Sequence, residues 1–553
     1  MSRATLVAKA QALLQSSFAS TTDGKSENDL RDLEPPPERD FSWDEVSDDD
    51  SDTARVADDI NGLAVSLDSL NSVHASYIKF SSVPTILRVT AHLSPRIRQV
   101  VPPISEMWKA SIVQAAPEST SFSGIDELSL INAYFLHVHP VTPMVDEVDF
   151  RQRYSEGGVP DNNQAWLALF NMVLAMGCFA SDSAQFNKRN IVYERALSYL
   201  SLSSLGYGHL YIVQALALYG GYLLHYLNKP NTASAVIGAT IRIAVAMGLH
   251  RAQMPKYTPD PTQYTARISI MTRIRTWWSI FCLDTWAAAT LGRPGLGYWS
   301  PATTTAPSPS RPASNFCKIA TRIQERLAQM PLITTQEITE FDTELLTWEA
   351  SLHMFLANPD HCPPNLCVAR GLLRCRFITT RLTLYRPCLL SAALHRKPWS
   401  DPTQQQPHVS QCVEIARAGI DIISLDWFSN HILTWNDAWH LLQITLVLVL
   451  AAVSIPVSEI SGAERSRCDE YITKALALFA QMEPFNAGAS RSKRIIQILY
   501  DNIRNQESGE PREGGGGVEF GSLEGGSTIL NFLDLDMAAD EGVSLGPFYN
   551  HNE

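Results

Sequence analysis

No cysteine precedes Cys178, and the nine in the chain, Cys178, Cys282, Cys317, Cys362, Cys367, Cys375, Cys388, Cys412 and Cys468, are odd in number and mostly sit in apolar stretches. With no secretory signal read ahead of them, the expectation is reduced thiols filling a core rather than a disulfide framework. Charge is also scarce: 18% of residues are Asp, Glu, Lys or Arg, and the formal net charge is -13. A chain of that balance lacks the basic footprint of a nucleic-acid binder, so any contact with DNA has to be local or borrowed. The longest apolar run, Leu441 to Ile455, is interrupted by Gln443 and Thr445 and stops before Pro456, short of the ~18 apolar residues that argue for a membrane span.

Catalytic motifs are missing as well. There is no G-x-S-x-G elbow, no H-E-x-x-H helix and no G-x-G-x-x-G after a strand, and Gly24, Lys25 and Ser26 lack the upstream glycine of a phosphate loop. The spacing of Cys362, Cys367, Cys375 and Cys388 matches no paired zinc knuckle, and the pair His137 and His139 has no third ligand nearby. The expectation is a chain that is not an enzyme and has no catalytic, cofactor, metal or DNA-binding residues of its own.

What is present is helical patterning over most of 553 residues, too long for one ordinary compact domain but within reach of a helical array. The clearest segment runs from Asn228 to Gly297. In its first half Val236, Thr240, Ile243, Ala244 and Met247 recur at helical steps, with Pro230 and Asn231 at the start and Gly248 as the left-handed residue past the end, Leu249 folding back on it. In its second half Met271, Ile274, Trp278, Phe281 and Thr285 form the stripe, widened by Trp277 and Trp286 and stopped by Gly292 and Pro294. Small residues at Ala235, Gly238, Ala239 and Ala246 invite close approach of a neighbour, and Asp284 is a candidate partner for one of Arg242, Arg251, Arg267, Arg273, Arg275 and Arg293. Upstream, Leu130, Tyr134 and Val138 share a helical stripe that Pro140 ends, and helices resume from Cys317 to about Arg504.

These residues carry a resemblance. ATIRIAVAMGLHR at Ala239 to Arg251, RTWWSIFCLD at Arg275 to Asp284 and GRP at Gly292 to Pro294 resemble the signature of the fungal-specific transcription factor domain, the middle homology region of fungal zinc-cluster regulators of the xylanolytic-activator type. HP-x-x-P at His139 to Pro143, YRPCLL at Tyr385 to Leu390 and the run Cys412 to Ile423 are similar to further elements of that family. The family-motif core is then Arg242, Gly248, Leu249, His250, Arg251, Arg275, Trp277, Trp278, Asp284, Gly292, Arg293 and Pro294. The resemblance implies an all-α, multi-helix regulatory domain over residues 59–504, with a short strand-like lead-in from Asp59 through the ASYIKFSSVPTILRV stretch. It also implies a fungal, nuclear transcription regulator of metabolic or biosynthetic genes.

The flanks read differently. Residues 1–58 hold a short amphipathic helix, Thr5 to Phe18, and an acidic segment poor in aliphatics. Residues 505–553 begin as a Gly-rich linker and end in TILNFLDLDMAADEG, where Phe532, Leu533, Leu535 and Met537 interleave with Asp534 and Asp536. Acids keep such apolar anchors soluble until they dock in a coactivator groove, which describes an activation segment; packing as a last helix on its own domain is the alternative. Zinc is expected in the family, but its six-cysteine cluster is absent from this sequence, so promoter contact is expected to be indirect. The chain would act through zinc-cluster transcription factors or itself as a dimer, as a non-DNA-binding cofactor or dominant-negative partner, or be a gene model lacking its first exon. A small-molecule effector between helices is a further possible partner; no membrane is.

Overall fold

The computed structural model describes most of residues 125–507, together with scattered positions between 86 and 94. The Thr5 to Phe18 helix, the acidic N-terminal segment, the 301–311 loop, and the linker and tail, with Phe532, Leu533, Asp534, Leu535, Asp536 and Met537, lie outside the described residues. Among the described residues every element is helical, so the all-α expectation holds. The strand-like lead-in fails at its end, where positions 86, 87 and 89 are helical and the Thr90 hydroxyl donates back to the Ile86 carbonyl at 2.7 Å; residues 59–85 of it lie outside the described residues. Partial alternation in so short a stretch cannot tell a strand from one apolar helical face.

The longer helices are α1 (Glu127–Ala133, prolonged by a π turn, Tyr134–Val138), α2 (Glu147–Ser155), α3 (Gln164–Ala180), α4 (Arg189–Leu197) and α5 (Leu210–Leu218, prolonged through a π turn to Tyr226). Then come α6 (Pro230–Ala246), α7 (Tyr264–Leu291), α8 (Pro312–Leu327) and α9 (Thr335–Ala350). The remainder are α10 (Cys367–Leu394), α11 (Pro407–Asp426), α12 (His431–Ser454), α13 (Gly462–Met482) and α14 (Ala487–Glu507).

Two helices tie the array together. α12 packs against α10, α11, α13 and α14 and also reaches α3, while α10 packs against α8, α9, α11 and the π turn that follows α1. α12 is long and apolar enough, by length and composition alone, to cross a membrane, yet it is buried almost throughout, with Leu441, Leu442, Ile444 and every residue from Leu446 to Ala452 fully enclosed. A helix apolar on all sides is stable in water only when neighbours cover all sides, and each such side chain buried contributes roughly 1.5–3 kcal/mol.

The phase of the central stripes differs from the sequence reading. In α6 the buried residues after the first turn's Pro230 and Asn231 are Ala233, Ile237, Thr240, Ile241 and Ala244, whereas Val236, Ile243 and Met247 sit at the edge. Ala235 and Ala246 are exposed, so they bring no neighbour close. Close approach is made by other glycines: a Cβ on Gly177 of α3 would lie 2.2 Å from the Leu130 carbonyl oxygen, and one on Gly221 would lie 2.7 Å from the Leu283 methyls. In α7 Met271 is exposed and Thr276 to Thr285 is buried on every side, so a single stripe understates its contacts.

Candidate functional site

The motif residues assemble into a clasp at the ends of α6 and α7. Gly248 takes φ +69°, its N–H donates to Val245 O at 2.9 Å, and the Leu249 N–H donates to Ala244 O at 3.0 Å, which closes α6 with Leu249 buried. Gly292 takes φ +66°, and the Arg293 N–H donates to Ala288 O at 2.9 Å, closing α7 in the same way. A side chain with a Cβ is strained at that φ, which is why glycine stands at both turns.

Three side chains lock the turns in place. Asp284 does not pair with an arginine, as the charge pattern suggested; its Oδ2 accepts from the Leu296 and Gly297 amides, each at 2.6 Å. Burial pushes its carboxyl up to about 6, while the two amide bonds pull the other way. Glycine at 295 and 297 leaves room for this, since a Cβ at either would stand 3.2 Å from Asp284 Oδ2. Arg293 donates to Asn231 Oδ1, so Asn231 does not cap the start of α6; Pro230 occupies the first helical position and no side chain caps it. Arg273 Nη2 donates to the Met247 carbonyl at 2.7 Å, satisfying one of the orphan acceptors at the end of α6.

The aromatic motif residues are core. Trp277 and Trp278 are both fully buried, the His250 ring stands 5.7 Å from that of Trp277, and Lys318 lies 4.1 Å from the Trp299 ring and 5.0 Å from that of Trp278. Arg242 and Arg251 are exposed, Pro294 is exposed, and Arg275 is half-buried. His139 Nε2 donates to the Val145 carbonyl oxygen, 2.8 Å away, and so ties the end of the π turn to the loop that follows it. A short basic run, Ser490 to Arg494, lies within α14, with Ser492 buried and Lys493 paired to Glu483 at 3.1 Å.

Behind the clasp lies a cavity of about 100 Å³. Its wall is shared by the end of α5 (Gly221, His225), the last turns of α7 (Thr285, Trp286, Thr290), and by α8, α10 and α12. Motif residue Gly292 is part of that wall. Arg376 of α10 projects into it with its guanidinium 3.5 Å from the centre of the Trp286 ring, and it makes no ion pair or hydrogen bond among the described residues. His225 Nε2 and Gln324 Oε1 have no hydrogen-bond partner either. Burial, reinforced by Arg376, drives His225 down to about 4 and His440 down to about 3, so both rings are neutral near pH 7.

Neither Arg376 nor the cavity's histidines, His225 and His440, were singled out from sequence. α10 carries arginines at 370, 374, 376, 381 and 386, and nothing in the string distinguishes them. The fold does: Arg370 and Arg374 pair with Asp426, and Arg381 pairs with Asp342 at 2.6 Å, while Arg376 is left facing the cavity.

Comparison with known proteins adds the family. Residues 131–305 match the fungal specific transcription factor domain. The lactose regulatory protein LAC9 of Kluyveromyces lactis is 36% identical over 169 residues, 30% of this chain and 18% of LAC9. Longer alignments join the chain to transcription factor FBD3 of Gibberella moniliformis, 23% identical over 84% of this chain and 70% of that protein, and to sorbicillinoid biosynthetic cluster transcription factor 2 of Penicillium rubens, 24% identical over 73% and 64%. This chain therefore spans less than a fifth of LAC9 and about two thirds of the other two. The α6–α7 clasp lies inside the span of residues 131–305 that matches the fungal specific transcription factor domain, and the relatives it resembles are transcription regulators.

Proposed function

We propose that this protein regulates transcription of fungal metabolic or biosynthetic genes in the nucleus, with residues 59–504 as a helical regulatory domain and residues 505–553 as an activation tail. The observation that carries the reading is the motif order GLHR, RTWWSIFCLD, GRP on the α6–α7 clasp, within a span that matches the family domain. The long alignment to a biosynthetic-cluster transcription factor supports the choice of target class. Promoter contact is made through a zinc-cluster partner or a second copy of the chain, and the interleaved Phe532, Leu533, Asp534, Leu535, Asp536 and Met537 recruit coactivator. The helical domain restrains or presents that tail, and the balance shifts when a ligand or partner binds one state better than the other.

A tethered reporter tests the reading. Residues 505–553 fused to a foreign DNA-binding domain should activate, and replacing Phe532, Leu533 and Leu535 by Ala should abolish activation. An inert fusion, or one indifferent to those replacements, removes the tail from the mechanism.

A further inference from the structure

The cavity behind the clasp holds a charge that the protein leaves unanswered. Arg376 is half-buried, so its guanidinium meets only the cavity itself, and a cation drawn partly out of bulk water is costly unless an anion or hydrogen bonds replace the lost solvent. Around Arg376 the candidates for that role are missing. Cys317 and Cys375 are buried thiols pushed up by their surroundings, Tyr222 is pushed up to about 12 by burial, and all three are neutral near pH 7. Asp437 is an acid that feels the charge of Arg376; its Oδ1 accepts from the Asn436 amide at 3.0 Å and the Cys375 thiol at 3.2 Å, and its Oδ2 has no hydrogen-bond partner. It forms no ion pair with Arg376.

The rest of the wall mixes polar and apolar side chains. His225, Thr380, Thr383 and Gln324, whose Oε1 has no hydrogen-bond partner, are among its polar members. Phe316, Ala320, Ile323 and Leu327 of α8 are among its apolar ones. Cavities of about 150 Å³ with purely apolar walls accept a benzene ring, so one of about 100 Å³ accommodates a guest of roughly four to six heavy atoms. One unanswered cation, neutral histidines and the apolar side chains of α8 together select a guest with a single negative charge and a short hydrocarbon body.

We propose that this cavity binds a short-chain organic monocarboxylate, its carboxylate on the Arg376 guanidinium and its hydrocarbon end against α8, as an effector of the protein. The effector role rests on the reading of the helical region as a regulatory domain; the binding itself does not. The wall comes partly from α5 and α7, inside the span that matches the family domain, and partly from α8, α10 and α12 outside it. A guest seated there bridges the two and stabilises the arrangement in which they meet, which is how a small ligand shifts a conformational balance.

The purified full-length chain is melted in butyrate, pyruvate or lactate, in butyramide, and in sodium chloride at matched ionic strength. A saturable rise in melting temperature with at least one carboxylate, absent with the amide and with chloride, is the expected result. Arg376→Met should lose that response while melting no lower than wild type without ligand, because it removes an unpaired cation; Ala320→Leu, which fills the cavity from α8 and leaves the charge, should lose it too. No response to any carboxylate, an equal response to butyramide or chloride, or a response that survives both substitutions overturns the site. A carboxylate that binds in this way but leaves a reporter driven by the tethered full-length chain unchanged overturns the effector role and leaves the site standing.

Discussion

Asp437 and His440 lie one turn apart on α12, and burial moves their proton equilibria in opposite directions. Asp437 is pushed up to about 7 and Asp284 up to about 6 from 3.8, while His225 falls to about 4 and His440 to about 3 from 6.5. An acid raised on folding contributes stability that is complete below its unfolded value and is lost as pH rises through 6 to 7. A histidine depressed on folding contributes stability that is complete above 6.5 and is lost as pH falls toward 4. Between pH 5 and 6.5 the two trends oppose each other, each with a slope of up to about 1.4 kcal/mol per pH unit. Asp437→Asn removes one opposing acid, so its melting temperature should fall more steeply than that of wild type from pH 6.5 to 5. Superimposable profiles would mean that Asp437 is ionised in the folded protein throughout that range. Such behaviour was not legible in the string, because Asp437 sits in the sequence TWNDAWH like any half-exposed acid, and only the helices packed around α12 decide that it is dry.

At the scale of the element, legibility depended on whether the signal was local. The two left-handed glycines, Gly248 and Gly292, were readable because helix closure is written within a few residues. The cap at Asn231 was misread because its real partner, Arg293, lies 62 residues away. Stripe phase in α6 was wrong by a fraction of a turn because two neighbours, α5 and α7, widen its buried arc beyond what one hydrophobic face records. Close packing through Gly177 was invisible for the same reason: nothing near it in sequence announces the backbone of Leu130. Gly177→Ala would place its Cβ within 3.0 Å of three backbone atoms of α1, which cannot yield as a side chain can. It should lower the free energy of unfolding by about 1–3 kcal/mol in a denaturant titration. Gly238→Ala is the control: its Cβ meets only the tip of Leu296, at 3.3 Å, and the gain in helix propensity should leave stability equal or higher by up to ~1 kcal/mol. Equal losses at both positions would place the cost in the loss of glycine rather than in the contact with α1.

On the scale of the whole molecule, the span that matches the family domain does not enclose its own core. α3 rests on α12, the π turn after α1 rests on α10, and α7 rests on α8, so cutting the chain at residue 305 would uncover apolar surface on all three. A fragment of residues 125–305 should therefore aggregate or melt without cooperativity, whereas one of residues 125–507 should unfold in a single transition on a sizing column and by calorimetry. A monodisperse, cooperatively melting 125–305 fragment would establish the matched span as a self-sufficient unit. The sequence alone determined the helical class, the closures of α6 and α7 and the kinship carried by the GLHR, RTWWSIFCLD and GRP motifs, because periodicity, turn chemistry and motif order all act over short separations. Tertiary structure alone decided which of five similar arginines on α10 would face a cavity without a counter-ion, and which carboxylates and histidines would be stripped of water, because burial and charge pairing depend on groups brought together from distant parts of the chain.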